Sequence, residues 1–134
     1  MERKFIIASH GQLASGVQSS LELIIGNTGH LTTVNAYTEG NETIATALDA
    51  VLDTLQPAQD LIIFTDLLGG SITNQVLRHA LRERVHIVAG FNLALLIEIL
   101  MADPGTPAAE VITAALANAR EQMVYVNKLI PSHD

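Results

Sequence analysis

The sequence predicts an α/β fold, with a mainly parallel sheet covered by helices on both faces. Short, unbroken apolar runs such as Phe5–Ser9 and Leu61–Phe64 are typical of strands that are buried on both sides. These runs alternate with segments whose apolar residues recur at three- and four-residue spacing, which is the pattern of amphipathic helices. A three-layer α/β/α arrangement with right-handed crossovers accommodates both patterns.

The first half of the chain contains two strand–helix units. Phe5–Ser9 leads into a helical stripe that Gly26 can terminate as a C-cap residue. The β-prone run Leu31–Tyr37 predicts the second strand. A second helix follows, with Asn41 as its candidate N-cap and Pro57 just beyond its end. The apolar residues of the two stripes are Leu13, Val17, Leu21 and Ile24 in the first helix and Ile44, Leu48, Val51, Leu52 and Leu55 in the second.

The middle of the chain repeats this alternation. Leu61–Phe64 is the clearest buried strand, and Val85–Gly90 is predicted to be the fourth strand. Between them the spacing predicts a third helix. Its expected buried face consists of Val76, Leu77, Ala80 and Leu81.

The C-terminal third is predicted to contain two more helices and one more strand. Asn92–Met101 is a very apolar helix. Thr106 and Pro107 form an N-cap and N1 pair that opens a fifth helix through an alanine-rich stretch to about Met123. Val124–Ile130 can extend that helix or form a last strand, and its β-branched and aromatic residues favour the strand.

The composition predicts one soluble domain over residues 1–134. Apolar residues make up 49% of the 134 residues and charged residues only 16%, which is enough apolar material for a sizeable core. The net charge of −7, without any basic run, argues against nucleic acid and anionic membrane surfaces as partners. The absence of cysteine excludes disulfides, thiol catalysis and cysteine-based zinc sites.

The apolar segments are too short for membrane insertion or secretion. The run that follows the charged N-terminus is shorter than a signal-peptide core and lacks a small-residue cleavage site. The longest run, Leu93–Leu100, contains Glu98 and is far too short to span a bilayer. We therefore expect a cytoplasmic protein.

Two chemically useful side chains follow predicted strands. His10 ends the first strand and Asp66 follows the third. If the strand order is 2-1-3-4, these strands are neighbours about 4.8 Å apart, and the ligand site lies between their carboxyl ends. A carboxylate that accepts a hydrogen bond from one imidazole nitrogen fixes the tautomer, so that the other nitrogen can attack as a nucleophile.

Glycines accompany both side chains. Gly11 follows the histidine, and Gly69, Gly70 and Ser71 follow the aspartate, each stretch leading into a helix. Helix starts present backbone N–H groups and a positive dipole end, and glycines allow an anion to approach the backbone. None of these signals is specific alone, because such residues are also common as caps and turns. Their coincidence at one sheet edge predicts a phosphoryl-binding site with His10 as the nucleophile.

Other chemistry lacks support in the sequence. No histidine pair has metal-ligand spacing, and no zinc-protease, P-loop, dinucleotide or serine-hydrolase motif is present, so we expect neither a metal nor a cofactor. A histidine phosphatase normally has an arginine beside the histidine to hold the phosphate, and this chain has Ser9 at that place.

Three motifs together resemble a known family. They are "IIASHG" near the N-terminus, "FTDLLGGSITN" after the third strand, and "IVAGFNLALLIEIL" further on. In this order, across nearly the whole chain from Phe5 to about Leu129, they resemble the IIA domain of the mannose-type bacterial sugar phosphotransferase systems. The chain departs from the family pattern at Leu68, where an aromatic residue is common, and at Ile72, where proline is common.

The resemblance implies a phosphocarrier with a phosphohistidine intermediate. Such domains accept a phosphoryl group from phospho-HPr and pass it to a IIB domain, which serves a membrane IIC/IID pair. By this resemblance, Nε2 of His10 would carry the phosphoryl group, and the carboxylate of Asp66 would be the partner of Nδ1. Gly69, Gly70 and Ser71 match the family's Gly-Gly-Ser stretch. The family fold has a four-stranded sheet of order 2-1-3-4 and an antiparallel edge strand exchanged within a homodimer, for which Val124–Ile130 is the candidate.

Two alternatives stay open at the sequence level. The acceptor can belong to a dihydroxyacetone kinase instead of a sugar permease, although such subunits usually continue into further domains. The same site can also serve a regulatory module that senses a phosphate ester without a covalent step. The sugar itself is not readable from the chain, because a IIA carrier contacts only proteins and a phosphoryl group.

Overall fold

A parallel sheet of four strands forms the centre of the protein. The structure, a computed structural model, describes residues 2–38 and 43–131. The strands are β1 (Lys4–His10), β2 (Leu31–Ala36), β3 (Leu61–Thr65) and β4 (Val85–Ala89), and all pairings are parallel. Their order is β2-β1-β3-β4, which confirms the predicted class and strand order.

Helices cover both faces of the sheet in three layers. They are α1 (Leu13–Ile25), α2 (Ile44–Thr54), α3 (Ser71–Val76), α4 (Leu93–Leu100) and α5 (Ala108–Glu121). One core cluster joins the sheet to α1, α4 and α5, and a second joins it to α2 and α3. Alternate strand residues supply the two cores because successive strand side chains point to opposite faces. No helix within the described residues is long and apolar enough to cross a membrane.

The edge between β1 and β3 is the point where the connections diverge. The chain leaves β1 for α1 on one face of the sheet and leaves β3 for α3 on the other face. In open parallel sheets, such a switch point opens a crevice at the carboxyl ends of the strands. His10, the last residue of β1, and Asp66, the first residue after β3, both lie there.

Local capping explains where two of the helices begin. Thr43 Oγ1 accepts a hydrogen bond from the N–H of Thr46 at 3.1 Å at the start of α2. Asn92 Oδ1 accepts one from the N–H of Leu95 at 2.8 Å at the start of α4. Each bond satisfies an amide that has no partner inside the helix. Asn41, the predicted N-cap of the second helix, lies outside the described residues.

The third helix is shorter than predicted. Of the four residues that were expected to be buried on it, only Val76 is buried, so the prediction was wrong for the other three. α3 ends at Val76, which is buried, and a 3₁₀ turn over Leu77–His79 follows. The tighter winding of the 3₁₀ turn changes the direction of the side chains. His79 therefore points inward, while Leu77 and Leu81 are exposed, as is Ala80.

Two smaller differences concern α1 and α5. Pro107 is the N-cap of α5, one position earlier in the helix than the predicted N1 site. In α1 the fully buried residues are Ala14 and Leu21, whereas Leu13 and Ile24 are about half exposed. The small Ala14 contacts the sheet where the sequence pattern favoured the larger Leu13.

The predicted fifth strand is not formed in this single chain. Val124–Ile130 instead contains a 3₁₀ helix, Val126–Leu129, with a local hydrogen bond from the N–H of Lys128 to the carbonyl of Tyr125 at 2.9 Å. Its residues are exposed. A strand exchanged between subunits takes its ladder hydrogen bonds from the other copy, so an isolated chain leaves the segment only local bonds. Exchange within a dimer stays a prediction.

Candidate active site

His10 is held rigidly at its backbone and open at its side chain. The preceding residues of β1, Phe5–Ser9, are buried, whereas 43% of the His10 side chain is exposed. Gly11 follows with φ +57°, a left-handed conformation that costs glycine little. The strand therefore fixes the position of the imidazole, and the glycine turns the chain away beside it.

Asp66 binds His10 at two points. Its Oδ2 accepts a hydrogen bond from the backbone N–H of His10 at 2.8 Å and lies 2.7 Å from Nδ1 of the ring. Because a carboxylate oxygen accepts, Nδ1 carries the proton, and Nε2 of the neutral ring keeps its lone pair. The structure thus brings together the two residues that the sequence placed on neighbouring strand ends.

Asp66 is kept ionised by this arrangement. Burial acts to raise the pKa of its carboxyl, since only 9% of the side chain is exposed. The hydrogen bonds from the backbone and the ring of His10, with the charge interaction between the two groups, outweigh burial and hold the pKa below its ordinary value of 3.8. The site therefore contains a carboxylate next to a histidine that can become positively charged.

The start of α1 is a weaker anion site than the sequence suggested. The N–H of Ala14 donates to Ser9 Oγ at 2.8 Å, and that of Ser15 donates to Asn35 Oδ1 at 3.2 Å. The N–H of Gly11 donates to the carbonyl of the last residue of β2 at 2.9 Å. These amides already have acceptors, so Gly11 can contribute space near His10 but not its own N–H.

The loop between β3 and α3 approaches the histidine from the other side. Gly69 has φ +75°, and a Cβ added to Gly70 would lie 3.2 Å from Cβ of Leu67 and 3.9 Å from Cε1 of His10. Ser71 Oγ lies 3.4 Å from Nε2 of His10. Of the four predicted phosphate-binding residues, Ser71 is the one whose side chain reaches the free ring nitrogen.

Tyr37 belongs to this site although the sequence interpretation assigned it only to a strand. Its ring centroid lies 5.4 Å from that of His10, and its hydroxyl donates to Ser71 Oγ at 2.8 Å. Gln75 Nε2 in turn donates to the tyrosine hydroxyl at 3.1 Å. The pairing of His10 with Ala36, in register across β1 and β2, puts the next residue beside the histidine. That register was the signal that could have identified it.

The backbone of Tyr37 is strained. Its φ of +61° lies in the left-handed region, which costs a non-glycine residue about 1–2 kcal/mol. The ring is also largely exposed, at 66%. Neither feature is explained by core packing, whereas the contacts to Ser71 and His10 are specific.

Exposed leucines lie close in sequence to His10 and Asp66. Leu67 and Leu68, directly after Asp66, are 59% and 86% exposed, and Leu13 at the start of α1 is 49% exposed. Within the described residues, no cluster of three or more histidine, aspartate or glutamate side chains could hold a metal ion. The chemistry that the site itself offers is nucleophilic attack by an imidazole oriented by a carboxylate.

Comparison with known sequences identifies relatives of the chain. The family EIIA-man, described as the PTS system fructose IIA component, matches residues 4–117. The "PTS system mannose-specific EIIAB component" of Escherichia coli K12 is 29% identical over 121 residues. That match covers 87% of this chain but only 37% of the relative, so the chain spans little more than a third of the length of this curated relative.

Solved structures show the same relationship. A Klebsiella pneumoniae protein, described as a phosphoenolpyruvate-dependent sugar phosphotransferase system permease, superposes with a TM-score of 0.87 at 34% identity, over 98% of this chain and 96% of that chain. The PTS IIA protein associated with the fucose utilization operon of Streptococcus pneumoniae gives a TM-score of 0.76 at 29% identity, over 98% of each chain. The chain therefore belongs to the EIIA-man family, the mannose-type IIA components of the sugar phosphotransferase system.

Proposed function

We propose that the protein is a phosphocarrier that accepts a phosphoryl group on Nε2 of His10 and passes it to a second protein. The observation that carries this proposal is the 2.7 Å contact between Nδ1 of His10 and Oδ2 of Asp66. This contact leaves Nε2 as the unprotonated nitrogen of a partly exposed ring. A neutral imidazole with one fixed proton is the form in which histidine acts as a nucleophile.

The transfer makes one bond and breaks one. The Nε2 lone pair of His10 attacks phosphorus, and the electron pair of the broken P–N bond returns to the donor's imidazole. The proton on Nδ1 stays between His10 and Asp66, so the positive charge that develops in the ring faces a carboxylate. Such preorganised charge lowers the barrier without a large reorganisation of the site. In the second transfer, a nitrogen of the acceptor histidine attacks phosphorus, and the P–Nε2 bond breaks with its electron pair returning to His10.

The phosphoryl oxygens are expected to lie toward the loop Gly69–Ser71. Ser71 Oγ is the side-chain group nearest to Nε2 in that loop, at 3.4 Å, and Gly70 leaves the approach to the ring unobstructed. Gly11 contributes room, because a Cβ placed there would meet no atom within 4 Å. The group is therefore oriented by few contacts, which suits a carrier that must release it.

The donor and acceptor are proposed to be proteins. Leu13, Leu67 and Leu68, which are exposed and close in sequence to His10 and Asp66, would supply apolar surface for a docking protein, as the centres of interfaces usually do. For a member of this family we assign phospho-HPr as the donor and a IIB domain as the acceptor, which then serves IIC/IID membrane components. That cycle takes place in the cytoplasm, and a kinase-linked acceptor is the alternative to a sugar permease.

A homodimer is also proposed. A groove of about 610 Å³ beside β4 is lined largely by apolar residues, including Ile87, Ile112 and Leu116. Among residues 2–38 and 43–131, β4 is an edge strand, so one side of its backbone has no strand partner there. The exposed apolar segment Val124–Ile130 of a second copy would supply a strand for this edge and side chains for the groove.

Labelling with phosphate tests the proposal. Incubation with phosphoenolpyruvate, HPr and the enzyme that phosphorylates HPr should label the chain with an acid-labile phosphate, and His10→Ala should abolish the label. His30→Ala is a matched control, because His30 is an exposed histidine in contact with a carboxylate, that of Glu2. Label that persists in His10→Ala would refute the assignment. Tight phosphate-ester binding without any label would instead favour the sensing module.

A further inference from the structure

Three side chains form a hydrogen-bonded chain that ends at the reactive nitrogen. Gln75 Nε2 lies 3.1 Å from the hydroxyl of Tyr37, and that hydroxyl lies 2.8 Å from Ser71 Oγ. Ser71 Oγ lies 3.4 Å from Nε2 of His10. These hydrogen bonds thus connect Gln75, on the second turn of α3, and Tyr37, directly after β2, to His10 at the end of β1.

The groups at both ends of this series of hydrogen bonds determine which atom donates and which accepts in each bond. An amide nitrogen can only donate, so Gln75 donates to the Tyr37 oxygen, and the single hydroxyl hydrogen of Tyr37 is then directed to Ser71. At the other end, Asp66 holds the proton of the imidazole on Nδ1, so Nε2 can only accept. The one hydrogen that remains, on Ser71 Oγ, is therefore directed toward the position where the phosphoryl group would form.

We infer that Tyr37 is a positioning residue for phosphoryl transfer, acting by holding the Ser71 hydroxyl as a donor toward Nε2 of His10. The inference rests on the proposed function. No bond forms or breaks at Tyr37. At 3.4 Å the Ser71 hydroxyl forms a weak hydrogen bond to Nε2 in the free protein, and catalytic hydrogen bonds often tighten further when the reacting group is bound. A phosphoryl oxygen on Nε2 would give the Ser71 hydroxyl a charged acceptor.

The placement of Tyr37 supports an active role over incidental contact. Its backbone adopts an unfavourable left-handed φ of +61°, and its ring is 66% exposed, so burial does not hold it. The ring is tilted by 38° to the imidazole at a centroid distance of 5.4 Å, which limits access to that side of the histidine. Strain that core packing does not explain is a recognised feature of functional sites.

Removal of one oxygen tests the inference. Tyr37→Phe keeps the ring and should slow label transfer from phospho-HPr by about three- to tenfold, the usual range for one lost hydrogen bond. Thr54→Val removes a hydroxyl that contacts Lys4, at the opposite end of β1 from His10, and should leave the rate unchanged. In a Ser71→Ala background, Tyr37→Phe should change the rate by less than about twofold, because coupled residues are not additive. Equal effects of Tyr37→Phe with and without Ser71 would overturn the inference.

A second measurement does not depend on transfer. The ¹⁵N shifts of the His10 imidazole in the unphosphorylated protein report the hydrogen bonds at each nitrogen. Tyr37→Phe should move the Nε2 resonance and leave Nδ1, which is bound to Asp66, in place. An unmoved Nε2 resonance would refute the role of Tyr37 even if labelling succeeds. If the chain accepts no label at all, the proposed function fails, and the Nε2 shift still decides whether Tyr37 orders Ser71.

Discussion

Replacement of Asp66 by asparagine isolates the contribution of its charge. The amide oxygen of Asp66→Asn can still accept hydrogen bonds from the backbone N–H and from Nδ1 of His10, so the fold and the tautomer should persist. What is lost is the negative charge 2.7 Å from the ring nitrogen, on a side chain that is only 9% exposed. The variant therefore separates stabilisation of the developing imidazolium from simple orientation of the ring.

The expected loss follows from the geometry. Hydrogen bonds to charged groups contribute about 1.5–3 kcal/mol, and about 1.4 kcal/mol corresponds to a tenfold change in rate. Because 43% of the His10 side chain is exposed, solvent screening places the loss in the lower part of that range. We expect phosphoryl transfer to His10 to slow by about 10- to 30-fold.

Rapid-quench kinetics with labelled phospho-HPr would measure this rate, and urea unfolding would confirm that the variant is folded. A folded Asp66→Asn protein that transfers at the wild-type rate would refute the reasoning.

The pH dependence of stability gives a second check. Because the folded-state pKa of Asp66 is lowered, its carboxylate contributes stability that is complete above about pH 4 and is lost as the pH falls through the folded-state value. The stability difference between wild type and Asp66→Asn should therefore shrink in acid.

Two further predictions concern other parts of the chain. The pKa of His79 is lowered, first by burial and then by the charges of Arg82 and Arg78. The folded protein should therefore lose stability as the pH falls below about 6.5, because the histidine of the unfolded chain takes up a proton there. Urea midpoints between pH 8 and 5.5 should show this slope in wild type and a flatter one in His79→Gln; equal slopes would contradict it. Deletion of the residues after Met123 should convert the proposed dimer to a monomer in light scattering. A full-length monomer, or a dimer that survives the deletion, would count against strand exchange.

The contact between His10 and Asp66 could be predicted because it depends on strand order. His10 and Asp66 follow buried apolar runs, and a parallel sheet puts the ends of neighbouring strands at one edge. The order β2-β1-β3-β4 makes β1 and β3 neighbours, so two residues 56 positions apart come into contact. The apolar runs that predict the strands are visible in the sequence alone, whereas the strand order was what the family resemblance implied.

The remaining features of the site depend on side-chain direction. The sequence does not reveal that Ser9 and Asn35 satisfy amides at the start of α1, because each bond joins residues that only the packing of β1, β2 and α1 brings together. Tyr37 was missed for a similar reason. A β-prone residue at a strand end is normally assigned to the strand, and its left-handed backbone is a property of the folded turn.

The sequence by itself therefore determined the α/β class, the alternation of four strands with helices and the positions of His10 and Asp66 at strand ends, because apolar periodicity and strand ends are local properties. Only the tertiary structure decided which ring nitrogen is free and which amides are occupied. It also brought the hydroxyls of Tyr37 and Ser71 to Nε2. Hydrogen bonds require donor and acceptor to meet within a few tenths of an ångström, and that precision arises only when strands, turns and helices are packed together.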